Sequence, residues 1–327
     1  MKTTPHRAPR RDRFSAATLG LALLALASAS AAAGKEPLSF AAPDEAVTIL
    51  VAAVKAGDTI AMMAILGSDA GPLVDSGDPV ADRTAWDKFV AAYEEAHVLE
   101  KTGDDHVTLE TGATRWPFPI PLVRADGRWH FDTEAGEQEI IARRVGRNEL
   151  STIQACLAFV DAQHEYFARN PLGGQVAQYA QHVASTPGKR DGLYWETAEG
   201  EAPSPLGPLI VSARGEGYRK AGTDAGVPYH GYLFRMLTKQ GKDAAGGAYD
   251  YIVRGTMIGG FALVAYPAEY DSSGVMTFVV NHDGVVFEKD LGPATTKTVA
   301  AMTAFNPDAT WKRIEPESDA AAASAPQ

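Results

Sequence analysis

Between Tyr229 and Leu291, short apolar and aromatic runs are cut repeatedly by glycine. The stretch reads Tyr229-His-Gly-Tyr, then Gly246-Gly-Ala-Tyr-Asp-Tyr, then Gly259-Gly-Phe-Ala-Leu-Val-Ala-Tyr-Pro-Ala-Glu-Tyr, then Gly274-Val-Met-Thr-Phe-Val-Val-Asn-His-Asp-Gly-Val-Val-Phe. Runs of β-branched and aromatic residues bounded by turn residues write an antiparallel sheet. We expect strands over 229–238, 257–266, 275–281 and 285–290. Asp283-Gly284 is a strong hairpin signal for the last pair.

The segment before it has a different period. Pro43-Asp44-Glu45 opens a helix, and Val47, Leu50, Val51 and Val54 recur at helical spacing until Gly57. Asp58 caps a second helix over 59–66, and Trp86, Phe89, Val90 and Tyr93 mark the inner face of a third over 82–101. The period then shortens. A strand is expected over 106–110, and another over 116–123, where Pro117, Pro119 and Pro121 confine it to an edge or a bend. Asp126-Gly127 turns into a strand at 129–132, and a helix over 134–145 closes the segment. A new helix is expected over 148–168, with Leu150, Ile153, Leu157, Val160, His164 and Phe167 on one face. A short helix at 175–184 and a long irregular loop at 185–215 follow. The reading is an α+β protein of two domains, 40–146 and 147–315, each with helices packed on an antiparallel sheet.

The ends read differently. Lys2, Arg7, Arg10, Arg11 and Arg13 precede a short apolar run at 19–27 and small residues to Ala33, the plan of a signal peptide over 1–33. The Ala-rich tail at 316–327 is expected to be disordered. Removing 1–33 takes four net positive charges from a chain at −11 and leaves −15. Such acidity is a poor footprint for nucleic acid. A periplasmic or secreted protein, not membrane-embedded after signal cleavage, is the expectation. Cys156, the one cysteine, sits among Ala155, Leu157 and Phe159, the setting of a buried hydrophobe rather than a nucleophile.

Several segments carry a family likeness. Trp116-Pro-Phe-Pro-Ile-Pro-Leu-Val, Gly146-Arg-Asn-Glu-Leu, Ser185-Thr-Pro-Gly-Lys-Arg-Asp-Gly-Leu-Tyr-Trp195, Ser204-Pro-Leu-Gly-Pro-Leu and the Tyr229, Gly259 and Asn281 runs resemble the DUF2950 family of exported bacterial proteins. That likeness brings no catalytic residues with it. The first half, helices followed by a sheet ending in Asp126-Gly-Arg-Trp-His-Phe, also resembles NTF2-like and cystatin-like domains. The second half, a long helix before the glycine-punctuated sheet, is similar to the globular heads of type IV pilins and pseudopilins, without their apolar membrane half.

Three groups carry candidate chemistry. His282-Asp283 pairs a histidine with a carboxylate, although Asn-His-Asp-Gly is also good turn chemistry. In Tyr229-His-Gly-Tyr, His230 and Tyr232 would share one strand face, and His230 with His282 and Asp250 or Glu269 would make a metal site if they converged. Lys189, Arg190, Tyr194 and Trp195 set cations beside aromatics on one loop, with Tyr232 as a further ligand candidate. P-loop, dinucleotide and serine-nucleophile motifs are absent, and no cofactor is expected. The reading is a non-enzymatic binding or scaffold protein whose partner is an envelope glycan or protein. The alternative is a periplasmic hydrolase or metal-dependent enzyme using His230, His282 and Asp283.

Overall fold

The computed structural model describes residues 36–219 and 226–315. The expected signal peptide and tail lie outside the described residues. The fold is α+β.

Four helices come first: α1 (Pro43–Ala56), α2 (Thr59–Leu66), α3 (Gly71–Val74) and α4 (Pro79–Glu95). Their ends follow capping chemistry. Gly57 takes a left-handed φ of 67° after α1, and the Asp58 carboxylate accepts the Ala61 N–H at 2.9 Å to start α2. Asp78 does the same for α4, accepting from Val80 and Ala81 at 3.1 Å each. α4 begins and ends earlier than expected. Ala96 is extended, and 97–101 joins the sheet as a strand.

That sheet contains β1 (His97–Lys101), β2 (His106–Thr111), β3 (Trp116–Pro117), β4 (Leu122–Ala125) and β5 (Arg128–Phe131). Its order is β1-β2-β4-β5, with β3 on β2, and all pairings are antiparallel. The proline-rich stretch bends between β3 and β4, as its three prolines require. Val107, Leu109, Leu122, Trp129 and Phe131 face α1 and α2, building one core.

Helix α5 (Thr133–Arg169) leaves this sheet and does not stop. The expected break between 145 and 148 is absent, so α5 runs about 55 Å at ~1.5 Å per residue. Gly146 costs a helix interior only about 1 kcal/mol, and 133–169 contains no proline. The residues that resemble a helix start are used sideways instead. Asn148 Nδ2 donates to the Ser273 carbonyl at 2.8 Å, and Glu149 Oε1 accepts from the N–H groups of Val275 and Met276 at 3.0 Å each.

Beyond α5 lie β6 (His182–Ala184), β7 (Gly192–Tyr194), α6 (Gly207–Gly215), β8 (Tyr232–Leu237), β9 (Lys239–Gln240), β10 (Tyr249–Asp250), β11 (Ile252–Val253), β12 (Thr256–Met257), β13 (Ala262–Pro267), β14 (Met276–Asn281), β15 (Val286–Asp290), α7 (Thr295–Ala301) and β16 (Lys312–Arg313). The main sheet has the order β16-β15-β14-β13-β8, again antiparallel. The hairpin at Asp283-Gly284 joins β14 to β15. The expected strand 257–266 is split, because Gly259-Gly260 separates β12 from β13. Gly260 has φ 137°, and a Cβ there would lie 2.7 Å from His282 Nδ1. Cys156, Phe159 and Val160 of α5 pack with Val264, Phe278 and Val280 in a second core. Burial pushes the Cys156 thiol up to about 12, so it is a core residue and not a reactive one.

Two further expectations fail. Residues 175–184 are not helical; Ala180 is held extended by Gln163, and β6 pairs parallel with β7. Helix α6 falls within 185–215, expected to be irregular, and α7 follows the last expected strand. Pro208 sits in the first turn of α6, where its missing N–H is harmless.

Candidate functional site

A cavity of about 690 Å³ opens against the first core, beside α5 and the segment entering β8. Its depth is apolar: Leu50 and Val54 of α1, Met62 and Leu66 of α2, and Phe118 and Ile120 from the bend after β3. Its walls are two helix faces. On α4 they are Ala81, Asp82, Ala85 and Phe89; on α5 they are Ile140, Arg144, Arg147 and Ser151. Side chains three, four and seven apart share a helix face, so both sets follow from helical geometry. The mouth is polar, with Lys88, Glu216, Tyr218 and His230.

Asp78 holds the mouth together. It is fully buried, caps α4 with Oδ1, and accepts from Tyr218 Oη and the Gly231 N–H at 2.8 Å each with Oδ2. One carboxylate thus ties the first helical layer to the segment entering β8. The Tyr218 hydroxyl in turn accepts the His230 N–H at 3.2 Å, and burial with the Asp78 charge raises its pKa. His230 Nε2 lies 3.0 Å from Glu216 Oε2.

Arg144 and Asp82 form the inner charged layer. The Arg144 guanidinium donates to the carbonyls of Pro72 and Leu73, ending α3, and burial lowers its pKa. Asp82 accepts the Ser76 N–H at 3.0 Å, yet burial outweighs that bond and raises its carboxyl above the usual 3.8. The sign follows from linkage. Just above pH 3.8 the folded state keeps a proton that the unfolded chain has released, so this group's contribution to stability falls as pH rises through the folded pKa. Asp82→Asn keeps an acceptor for Ser76. We expect it to flatten the decline of unfolding free energy over mildly acidic pH, measured by urea titrations at several pH values; an unchanged profile would show that Asp82 titrates normally.

The expected site residues are placed as follows. Tyr229-His-Gly-Tyr is a turn, not a strand. Tyr229 and Tyr232 exchange backbone hydrogen bonds of 2.9 and 3.1 Å around His230 (φ 48°) and Gly231 (φ 74°). Two consecutive positive φ values are what a two-residue hairpin turn needs, and the X-Gly dipeptide is its signal. His230 and Tyr232 therefore do not share a strand face. Tyr232 is fully buried and donates to the Met276 carbonyl at 2.9 Å, which makes it a core residue.

His230 and His282 do not converge. Tyr232 pairs with Pro267 at one end of β8, and Leu237 with Ala262 at the other, beside Asn281. The two histidines flank opposite ends of strands five rises long, about 17 Å at ~3.4 Å per residue. His282 lies edge-on to Tyr251 and Phe261, with Asp283 3.9 Å away. Among the described residues, no group of three or more His, Cys, Asp or Glu is placed to hold a metal ion. The loop candidates do gather. Tyr194 is buried under the Arg214 guanidinium, and Arg190 lies over the Trp195 ring at 5.5 Å while pairing with Glu201. Lys189 stands exposed at the loop tip. Arg190, Trp195, Glu201 and Arg169 line a small cavity of about 290 Å³.

The family model described as Protein of unknown function (DUF2950) matches residues 38–314. The chain belongs to this family. No curated protein and no solved structure matches it. In this family member the matched span takes in both cores and every residue of the junction cavity. Nothing in the sequence marks Asp78, Asp82, Arg144, Arg147, Glu216 and Tyr218 as site residues. The traceable signal is Arg144, Arg147, Asn148 and Ser151 at i, i+3, i+4 and i+7, which straddle the expected helix break between 145 and 148.

Proposed function

We propose that this is an exported, non-enzymatic binding protein of the cell envelope, and that its ligand occupies the junction cavity. The cavity itself carries the reading. It is a mostly apolar chamber of ligand-sized volume, with an inner charged pair and further polar groups along its walls and mouth, a composition that suits a small-molecule site. Export is supported by the signal-like pattern of 1–33 and the acidity of the remainder. Among the described residues no helix is long and apolar enough to cross a membrane. The two separate cores support a division into domains near residue 146, with α5 shared between them; the NTF2-like reading of the first and the pilin-head reading of the second rest on the order of helices and strands alone.

The test uses the purified chain and N-phenyl-1-naphthylamine, an uncharged fluorophore that brightens in apolar surroundings. We expect saturable one-to-one binding, weakened at least about tenfold by Ala85→Trp, which narrows the cavity from an exposed position on α4. Absence of saturable binding, or equal affinity in the variant, would remove the reading. Cleavage of 1–33 is checked by the mass of chain recovered from the periplasm; an intact cytoplasmic chain would refute export.

A further inference from the structure

The charges lining the cavity are unevenly spent. Both carboxylates are engaged, Asp82 with the Ser76 N–H at 3.0 Å and Glu216 with His230 at 3.0 Å. Of the three cations, Arg144 is committed to the Pro72 and Leu73 carbonyls. Arg147 and Lys88 line the same cavity, and among the described residues neither has an ion pair or a hydrogen bond. Arg147 stands one turn from Arg144, close enough for its like charge to lower the Arg144 pKa further, after burial. Ser151 continues the same face one turn on, and it too can donate. A chain of net charge −11 thus presents two uncommitted cations and a row of donors at the rim of an apolar chamber.

We propose that the cavity takes a single-chain anionic amphiphile, a long-chain carboxylate, with its tail among Leu50, Val54, Met62 and Phe118 and its head group on Arg147 and Lys88. The proposal rests on the cavity being the binding site and names the ligand class for it. A guanidinium fork matches a carboxylate in a bidentate pair, which favours Arg147 as the principal contact. The tail is accounted for by the hydrophobic effect alone, which has no direction; the head group sets which end stays at the mouth.

The experiment displaces bound N-phenyl-1-naphthylamine with dodecanoate, dodecyl maltoside and dodecyltrimethylammonium, which share a tail and differ in head group. All three are used below their micellar concentrations. We expect dodecanoate to compete at concentrations at least about tenfold lower than the cation, a ratio equivalent to ~1.4 kcal/mol. Arg147→Gln should shrink that ratio towards one, and Arg147→Glu should invert it. Added salt should weaken dodecanoate more than the maltoside, because a partly exposed ion pair is screened. Equal competition by the cation, or a ratio unchanged in both Arg147 variants, overturns the proposal while leaving the cavity reading intact. Failure of the uncharged fluorophore to bind at all removes the cavity reading itself, so the two failures are told apart.

Discussion

Asp78→Ala is expected to lower the unfolding free energy by about 3–7 kcal/mol, read as a fall in the urea midpoint. Loss of an N-cap costs about 1 kcal/mol. Two further donors, the Tyr218 hydroxyl and the Gly231 N–H, then lose their acceptor at a buried position, at about 1–3 kcal/mol for each such group. The two parts of that sum are separable. Asp78→Asn keeps one oxygen for the α4 cap but turns an NH₂ toward the Gly231 N–H, so it should lose about 1–3 kcal/mol by the second route alone. If Asp78 were only a helix cap, alanine would cost about 1 kcal/mol and asparagine almost nothing. That pair of results would show that the junction does not depend on this carboxylate. With the tie broken, the segment entering β8 should also lose protection against amide exchange before either sheet does.

Gln163→Leu is expected to cost about 2–6 kcal/mol although it exchanges side chains of similar volume. Gln163 is fully buried on α5. Its Nε2 donates to the Ala180 carbonyl and its Oε1 accepts the Ala180 N–H, both at 2.9 Å. One side-chain amide thus replaces a neighbouring strand for Ala180, which is itself buried. Leucine leaves both backbone groups without partners, at about 1–3 kcal/mol each. Amide exchange at Ala180 should rise with the loss of global stability, or ahead of it. A neutral or stabilising substitution, with Ala180 still protected, would mean that packing alone holds the segment extended.

Gln163 also explains why 175–184 is extended and not helical. The ten residues from Gln175 to Ala184 are ordinary helix formers by composition. What overrides that preference is a contact from a side chain more than ten residues away, and such a partner leaves no local mark. The same physics hid the continuity of α5. Asn148 and Glu149 are good helix-start residues, and only the hairpin between β13 and β14 reveals that they bond across to Ser273, Val275 and Met276. Because the helix was divided there, its donor face was divided too. The cavity wall of Arg144, Arg147 and Ser151 went unseen. The candidate site was therefore less legible than the fold: His230 was noticed for its residue type, while Glu216, Tyr218 and Asp78 are ordinary residues until they meet.

The glycine-cut run from Tyr229 to Leu291 specified much of its own structure. The hairpin between β14 and β15 and the antiparallel pairing of β13 with β14 follow from turn chemistry and β-branched content, both local properties. The helical first segment and its caps at Gly57 and Asp58 were local too. Tertiary structure decided the rest. It turned His230-Gly231 into a tight bend tied to Asp78, 153 residues away along the chain. It also held His230 and His282 at opposite ends of one sheet, and it formed a cavity between the first core, α5 and the segment entering β8. Those outcomes depend on contacts between distant residues, whose energies arise only once both partners are in place.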